Sequence, residues 1–384
     1  MIALRGLFFN SILQKRCFTL LSFVKKNTVL IIALLAAGIS ILLVPPDKEY
    51  AGYIDFKTIS CLYCVLAVVM ALRDIEFFTY IARKIIVIAG SLRSAVLSIV
   101  YITFIGSMLI ANDMALITFL PLGYIVLHRT NNDKHMAFMF IMQNIAANLG
   151  GMLTPFGNPQ NLYLYTYYNI PTGQFMAVML LPFLFAVALI TLSCFIFIKK
   201  EKLTVDKFKP IHLPQRNTII YLILFALSIL LVFRFIPYIL GVIVVTVALF
   251  IFDRHALAKV DYPLLFTFVA FFIFAGNLSR IEAVSNFISP LLNKNTLSAS
   301  ALSCQFMSNV PSAILLSQFT NNWKELLIGV NIGGTGTLIA SLASLITFRQ
   351  FSTYYPNKKA SYFLKFTGIN FAFLFLMIVF CSIQ

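Results

Sequence analysis

Two polar segments interrupt long apolar runs and carry the residues best suited to bind a ligand. Residues 148–162 read NLGGMLTPFGNPQNL, and residues 331–345 read NIGGTGTLIASLASL. Pro155 and Pro159 each remove a backbone donor and clash with the preceding turn, so no continuous helix passes through the first segment. An ungapped superposition pairs the asparagines that open the two segments, and it continues through two glycines and a threonine. Interrupted hydrophobic segments in corresponding positions of two halves are typical of a secondary-transporter binding site.

Two other apolar stretches are broken only at a short polar tip. Residues 94–111 and 114–127 are joined by Asn112 and Asp113, and residues 296–320 carry the tip Ser-Asn-Val-Pro at 308–311. Each stretch is predicted to be a helical hairpin that enters the membrane and returns to the same side. Polar residues are tolerated at that depth where they face protein or a cavity. The two tips and the two helix breaks are therefore expected to converge at mid-membrane.

The chemistry of these four elements favours a small anion accompanied by a cation. A helix break frees backbone N–H groups at the start of the next half-helix, where the helix dipole also favours negative charge. Asparagine and threonine add neutral donors and acceptors, and glycine permits close approach of the backbone. Freed carbonyls and amide oxygens can coordinate sodium, and no Lys or Arg lies within the four elements.

These elements supply sixteen candidate substrate-binding residues, of which five also form a possible sodium site. The candidates are Asn112, Asp113, Asn148, Gly150, Gly151, Thr154, Pro155, Gly157, Asn158, Ser308, Asn309, Pro311, Asn331, Gly333, Gly334 and Thr337. The possible sodium site lies near Asn112, Asp113, Asn148, Asn309 and Asn331. Close packing of small residues is the alternative explanation, and it accounts for the glycines but not for the prolines and amides together.

Asp113 is the one acidic residue placed at depth. An ionisable group in a membrane is costly and marks a cation ligand or a proton carrier. The alternative is that Asn112 and Asp113 merely turn and cap the hairpin, and the two roles are compatible.

Composition indicates the class of protein. The chain has 384 residues, of which 60% are hydrophobic and 11% charged, and its mean hydropathy is +0.92. These values exclude a soluble globular protein and predict a polytopic helical membrane protein. The net charge of +16 fits basic cytoplasmic loops better than nucleic-acid binding. Cys61 and Cys64 have a C-x-x-C spacing but are expected to act as small hydrophobic residues.

The order of elements predicts an all-α fold of two inverted repeats, each with a re-entrant helical hairpin and a broken transmembrane helix. The predicted parts are a basic amphipathic segment (1–28), the first repeat (29–198), a basic cytoplasmic linker (199–216) and the second repeat (217–384). Two amphipathic stretches, 73–86 and 279–292, are expected at the membrane interface. The first repeat is one span shorter than the second, and the N-terminal segment is a candidate for the missing span. An interfacial aromatic belt is expected from Tyr163, Tyr165, Tyr167, Tyr168 and Trp323.

The distribution of charge predicts the orientation. Of the 29 Lys and Arg residues, six fall in segments placed outside. The N-terminus is then cytoplasmic and the C-terminus outside, in the inner membrane. The first hairpin enters from the cytoplasm and the second from outside. The six are Lys48, Lys57, Arg234, Arg280, Lys294 and Lys324.

Four segments resemble the signature motifs of the ion transporter superfamily, which includes divalent-anion/sodium symporters, citrate-type permeases and the membrane subunits of arsenite pumps. They are ANDMALITFLPL (111–122), NLGGMLTPFGNPQN (148–161), SNVPSAILL (308–316) and NIGGTGTLIASLASL (331–345). The resemblance is closest to the arsenical-pump and citrate-permease branch. It implies a homodimer in which a transport domain moves against a scaffold domain, as an elevator. The symporters carry Ser-Asn-Thr at each tip, whereas the tips here are Ala-Asn-Asp and Ser-Asn-Val, which makes proton coupling a competitor of sodium coupling.

The sequence therefore predicts a secondary active transporter of a small anion, a carboxylate or an inorganic oxyanion, coupled to sodium or protons. A cation/proton antiporter that uses Asp113 and an arsenite efflux permease are the alternatives. No resident metal or cofactor is expected, and the need for an ATPase partner stays open. An intramembrane enzyme lacks an embedded catalytic set, and a channel would not need an inverted repeat.

Overall fold

The protein is built from helices. A computed structural model describes residues 27–203 and 208–383. Within these ranges the only strand-like pairing is one isolated antiparallel bridge between Ser91 and Lys202. Seven of the described helices are long and apolar enough to cross a membrane. The prediction of an all-α polytopic membrane protein is thus confirmed, while the predicted N-terminal segment lies almost entirely outside the described residues.

The described helices fall into two sets on either side of the linker. Those before it are α1 Thr28–Leu43, α2 Tyr50–Tyr53, α3 Phe56–Asp74, α4 Phe77–Val87, α5 Leu92–Ile110, α6 Asn112–Arg129, α7 Met136–Gly150, α8 Pro159–Tyr167 and α9 Thr172–Phe197. Those after it are α10 Gln215–Val232, α11 Tyr238–Phe252, α12 Arg254–Ala258, α13 Tyr262–Ser279, α14 Glu282–Lys294, α15 Thr296–Met307, α16 Asn309–Leu316, α17 Trp323–Ile332, α18 Leu342–Tyr354 and α19 Lys359–Ile383. Short 3-10 turns occur at Asp133–His135, Gly151–Leu153 and Pro356–Lys358.

The five-helix group comprises α1, α3, α10, α11 and α13. Helix α1 packs along α13, where Asn277 Nδ2 donates to Ser40 Oγ over 3.1 Å, and α3 packs against α10 and α11. Helices α3 and α13 each begin after an aspartate whose carboxylate accepts backbone N–H groups of the first turn, Asp55 and Asp261. The two helices thus start in the same way in the two halves of the chain.

The hairpin group comprises α5–α9 and α15–α19. Helices α5 and α6 form one hairpin and α15 and α16 the other, while α7–α8 and α17–α18 are the two broken helices. The group meets the five-helix group mainly where α3 contacts α8 and where α13 contacts α16. The amphipathic helices α4 and α14 each precede a hairpin; α4 starts only at Phe77, because Arg73 and Asp74 still belong to α3.

Contacts between loops divide the molecule into two ends. At the basic end, Lys259 Nζ bonds Asp74 Oδ2 over 2.6 Å, and Arg93 Nε donates to the Ile198 carbonyl over 2.7 Å. The opposite end carries Asp47, whose carboxylate accepts from Arg280 over 2.6 Å. That hydrogen bond holds the pKa of Asp47 below its usual range. We call the end that carries these loops, which the charge distribution assigns to the cytoplasm, the basic end. Which end faces the cytoplasm stays a prediction.

Candidate functional site

Both hairpins turn at a single residue with positive φ that is not glycine. Ala111 has φ 64° and ψ 152°, and Ser308 has φ 74° and ψ 158°. This backbone conformation is essentially reserved for glycine and costs any other residue about 1–3 kcal/mol. Residues that nevertheless adopt it are found most often at functional sites. In each tip the next asparagine accepts the following N–H at its Oδ1, over 3.0 Å for Asn112 and 2.9 Å for Asn309. The two tips therefore share one geometry despite different sequences.

The first turn differs in detail from the sequence expectation. Asn112 and Asp113 do not form the turn itself, because Ala111 reverses the chain and both polar residues begin α6. Pro311 lies in the first turn of α16. Ser308 occupies the N-cap position, but its hydroxyl caps no backbone N–H and instead donates to Asn309 Oδ1 over 3.3 Å.

The two helix breaks also follow a common plan. Helix α7 ends at Gly150, and the chain is extended at Asn158 before α8 starts; α17 ends at Ile332, and the chain is extended at Ser341 before α18 starts. Only one of the two prolines acts as a breaker. Pro159 is the first residue of α8, where its missing N–H is one that lacks a helical partner in any case.

One threonine in each break forms a hydrogen bond to the backbone of the neighbouring hairpin. Thr154 Oγ1 donates to the carbonyl of Met108 over 3.0 Å, and Thr337 Oγ1 donates to the carbonyl of Gln305 over 3.0 Å. Both acceptors stand three residues before the turn of their hairpin. The hydroxyl groups of these two candidate site residues are therefore directed at the hairpin backbone.

Amide side chains from three of the four elements meet at the centre of the hairpin group. Asn112 Nδ2 donates to Asn148 Oδ1 over 3.3 Å, which joins the first tip to the first break. Asn158 Nδ2 donates to Asn331 Oδ1 over 3.4 Å, which joins the first break to the second broken helix. All four residues are buried.

The second tip reaches the same centre at Gly334. A β-carbon added there would lie 3.2 Å from Asn309 Nδ2 and 3.3 Å from Asn148 Oδ1. Asn309 and Asn148 therefore approach this backbone from two sides, and both tips and both breaks contribute to one polar centre. The convergence expected from the sequence is present in the fold.

Other candidate glycines serve close packing. A β-carbon at Gly150 would collide with the carbonyl of Phe104, and one at Gly333 would lie 2.9 Å from Ala301. Both contacted residues stand seven positions before their hairpin turns. A β-carbon at Gly151 would lie 2.5 Å from Asn158 Oδ1, and one at Gly157 would lie 2.7 Å from Thr154 Oγ1. The packing explanation is thus right for the contacts of Gly150 and Gly333, whereas Gly334 lies among the amides.

Two further amides support the centre and were not among the candidates. Asn161 Oδ1 accepts from Asn331 Nδ2 over 2.6 Å, and its own Nδ2 donates to the carbonyl of Gly151 over 3.1 Å. In the second half Gln305 Nε2 donates to the carbonyls of Gly333 over 2.9 Å and Thr335 over 3.0 Å. Gln305 carries the one amide side chain of its hairpin arm, α15, and this feature of the sequence could have identified it.

Several buried polar atoms at the centre have no hydrogen-bond partner among the described residues. They include Asp113 Oδ1, Asn158 Oδ1 and both polar atoms of Gln160. Such orphans are rare in folded proteins, because each costs about 1–3 kcal/mol of desolvation. Three of the four atoms are oxygens, and an amide or carboxylate oxygen accepts hydrogen bonds, which suits a bound cation or a donor from a ligand.

Two cavities lie one above the other along α3 and α8. The larger has a volume of about 520 Å³, opens at the end that carries Asp47, and is lined by Asp55, Lys57, Tyr163 and Tyr167 among others. The smaller, of about 10 Å³, lies deeper and separates Leu62 and Leu66 of α3 from the first hairpin turn and the first break. The two cavities thus lie between that end of the bundle and the polar centre, and aliphatic side chains of α3 line the deeper one.

The expected aromatic belt is wrong for two of its tyrosines. Tyr163 and Tyr165 are each 1% exposed. The Tyr163 hydroxyl bonds Ser317 Oγ over 2.8 Å, and the Tyr165 hydroxyl bonds Thr172 Oγ1 over 2.7 Å. These hydrogen bonds allow both phenols to be buried, Tyr163 also against Phe272 of α13, whereas Tyr167 is 43% exposed.

Comparison with known proteins agrees with this architecture. Residues 18–322 match the model of a citrate transporter family, CitMHS. An uncharacterized transporter of Methanocaldococcus jannaschii is 33% identical over 360 residues, which cover 92% of this chain and 97% of that protein. The inner membrane protein YbiR of Escherichia coli is 27% identical over 329 residues, or 83% of this chain and 86% of YbiR.

A third similarity is local. The low-affinity phosphate transporter PHO90 of Saccharomyces cerevisiae is 33% identical over 123 residues, which are 31% of this chain and 14% of PHO90. The family model covers most of the chain, and the relatives that match it over most of their length include a transporter and an inner membrane protein. The chain therefore belongs to the CitMHS citrate transporter family and is an integral membrane protein of transporter type.

Proposed function

We propose that the protein is a secondary active transporter of a small anion, a carboxylate or an inorganic oxyanion, coupled to sodium or protons. The observation that carries the proposal is the single polar centre to which both hairpin tips and both helix breaks contribute. No Lys or Arg lies in the tips or the breaks, so the substrate is held by dipoles and by a co-bound cation.

Four half-helices begin around this centre and supply the positive ends of their dipoles. Their first residues are Asn112 of α6, Pro159 of α8, Asn309 of α16 and Leu342 of α18. An anion placed among four helix N-termini is stabilised mainly by the dipoles, because several first-turn N–H groups, those of Asp113, Asn309 and Val310, already have acceptors. The amide side chains then fix its orientation without adding net charge.

The coupling ion belongs beside Asp113 in this proposal. Asp113 Oδ1 is buried without a partner among the described residues, and Asn158 Oδ1 is in the same state. A sodium ion takes such oxygens as ligands, and a proton is carried by the carboxylate itself. At the equivalent position of the second tip stands Val310, so the second half offers no carboxylate.

The elevator motion is assigned to the hairpin group, which would slide against the five-helix group. Arg234 crosses between the two groups at the end that carries Asp47. Its guanidinium donates to the carbonyls of Tyr165 over 2.6 Å and Ile170 over 3.3 Å. Those bonds must break if the groups move relative to each other. A homodimer joined through the five-helix group completes this proposal.

The test is uptake into liposomes that contain the purified protein. The panel holds citrate, a dicarboxylate, phosphate, sulfate and arsenite, each under a separate sodium or proton gradient. Phosphate is included because one relative is named a phosphate transporter. Uptake of one anion that requires one gradient supports the proposal. If no anion moves under either gradient, the proposal is wrong for the protein acting alone, and an ATPase partner becomes the next hypothesis.

A cation/proton antiporter is the second candidate, favoured by the unpartnered carboxylate of Asp113. In that case sodium and protons exchange without any anion. Sodium efflux from the liposomes that acidifies their lumen, in a buffer without any anion of the panel, would favour the antiporter.

A further inference from the structure

A cleft at the basic end lies apart from the polar centre and has the composition of an anion site. It is formed where the loop before α7 meets the start of α19, and its volume is about 80 Å³. That is well above the roughly 10–15 Å³ that a single water needs. Three lysines line it, Lys134, Lys358 and Lys365. Among the described residues none of the three forms an ion pair.

The one acidic residue of the cleft is already engaged. Asp133 accepts the Tyr355 hydroxyl over 2.6 Å and contacts His128 Nδ1 at 3.1 Å. Three lysines and one aspartate therefore line the cleft, and both carboxylate oxygens of the aspartate already have other partners. These four residues give the lining of the cleft a formal charge of +2.

A buried hydroxyl lines the same cleft. Tyr362 is 1% exposed, and its ring stacks on Phe351 with the centroids 3.8 Å apart. Its hydroxyl oxygen has no hydrogen-bond partner among the described residues, although Tyr362 borders the cleft. A buried phenol without a partner is costly, and a ligand oxygen in the cleft would satisfy it.

The surroundings select the kind of anion. Tyr362 and Lys365 lie one helical turn apart near the start of α19, and Lys358 ends the 3-10 turn directly before that helix. The adjacent Phe363 and Leu364 are exposed apolar residues, 43% and 70% accessible, on a helix long enough to span a membrane. The cleft thus lies where α19 passes from charged loop to lipid, at the end rich in basic residues. Basic pockets between helices at this level bind the head groups of anionic lipids.

We propose that this cleft binds the phosphate of an anionic phospholipid head group, with Lys134, Lys358 and Lys365 as charge partners and the Tyr362 hydroxyl as a donor. The acyl chains then lie along Phe363 and Leu364. The proposal is independent of what the polar centre transports.

Native mass spectrometry of the delipidated protein, titrated with phosphatidylglycerol or phosphatidylcholine, tests it. Removing two lysines in K358Q/K365Q is expected to weaken phosphatidylglycerol binding roughly 30-fold, from about 1 kcal/mol for each lysine. The matched control K199Q/K200Q removes two exposed lysines that follow α9 and do not line the cleft, and it should bind like the wild type. Equal binding by all three proteins, or equal losses in both double variants, would overturn the proposal.

Tyr362→Phe separates binding from a structural role. Without lipid, the variant should unfold at the same or a higher temperature, because an unsatisfied hydroxyl is removed. Phosphatidylglycerol should then raise its unfolding temperature less than that of the wild type, with roughly tenfold weaker binding. Full retention of the lipid effect contradicts the role of the hydroxyl. Inorganic phosphate, titrated alone, tests a free anion; stabilisation by phosphate but not by phosphatidylglycerol would overturn the head-group assignment.

Discussion

Thr154 and Thr337 make the same hydrogen bond in the two halves of the chain. Each hydroxyl donates over 3.0 Å to a carbonyl three residues before a hairpin turn, that of Met108 or Gln305. The turns themselves have nearly the same backbone angles, and the glycines four residues before the threonines pack on equivalent positions of the hairpins. The relation between the halves is thus one of three-dimensional contacts as well as of sequence.

The two threonine hydrogen bonds should contribute equally to stability in the two halves. Thr154→Val and Thr337→Val each remove one hydroxyl that connects a break to a hairpin, at a cost of about 1 kcal/mol. Hydrogen exchange followed by mass spectrometry should show faster exchange in the hairpin next to the altered threonine only. Thr118→Val is the control, because the Thr118 hydroxyl bonds the Met114 carbonyl within its own helix. Unchanged exchange in both variants would mean that these bonds do not hold the hairpins.

The packing glycines should not tolerate a methyl group. Gly150→Ala and Gly333→Ala place a β-carbon against hairpin backbone, and overpacking of this kind costs about 1–3 kcal/mol. Gly38→Ala is the matched control within a helix, since no atom lies within 4 Å of the added carbon. It should be neutral or stabilise the protein by about 0.5–1 kcal/mol. Unfolding temperatures in one detergent decide the matter, and equal behaviour of the three variants would contradict the packing role.

Asn331 should matter more for stability than Asn148. Asn331→Ala leaves Asn161 Oδ1 without its 2.6 Å donor and removes one acceptor of Asn158, so about 1–3 kcal/mol of stability is lost. Asn148→Ala removes an acceptor at 3.3 Å from Asn112 and a donor to the Asn144 carbonyl of its own helix, and a smaller loss is expected. Unfolding of both variants in the same detergent measures the difference. A larger loss of stability in Asn148→Ala would show that the hydrogen bonds of Asn331 between the two broken helices contribute less than those of Asn148.

Asp113 should govern coupling rather than folding. Asp113→Asn keeps the shape of the side chain but cannot carry a proton or a full charge, so uptake driven by the coupling gradient should fall at least tenfold. The exposed acid variant Glu282→Gln, on α14, is the control and should transport normally. Gradient-driven uptake that survives in Asp113→Asn would remove the carboxylate from the coupling mechanism.

The main elements of the fold were predictable from sequence because the breaks are made by residues with strong local effects. Pro155, the Gly-Gly pairs and the polar tips mark interruptions in apolar runs that are otherwise long enough to span. The exact turn residues were not predictable. Ala111 and Ser308 adopt backbone angles that their types disfavour, and only surrounding contacts impose such a conformation.

The hydrogen-bond and packing partners of the candidate site residues were harder to predict from the sequence. Sequence pairing placed Asn148 opposite Asn331 but did not show that Asn161 receives the Asn331 amide. Likewise the roles of Thr154 and Gly150 depend on which hairpin arm packs beside them, and side-chain type alone does not reveal that neighbour. The burial of Tyr163 and Tyr165 was missed for the same reason, since each phenol is buried beside a hydroxyl partner that the folded chain supplies.

The central claim is that one substrate site is shared by both hairpin tips. The most direct measurement is gradient-driven anion uptake into liposomes by Asn112→Ala and Asn309→Ala, with Asn321→Ala, an exposed loop variant, as control. Both tip variants are expected to lose at least nine-tenths of uptake while their unfolding temperatures stay close to that of the wild type. Full uptake by either folded tip variant would contradict a site built from both halves.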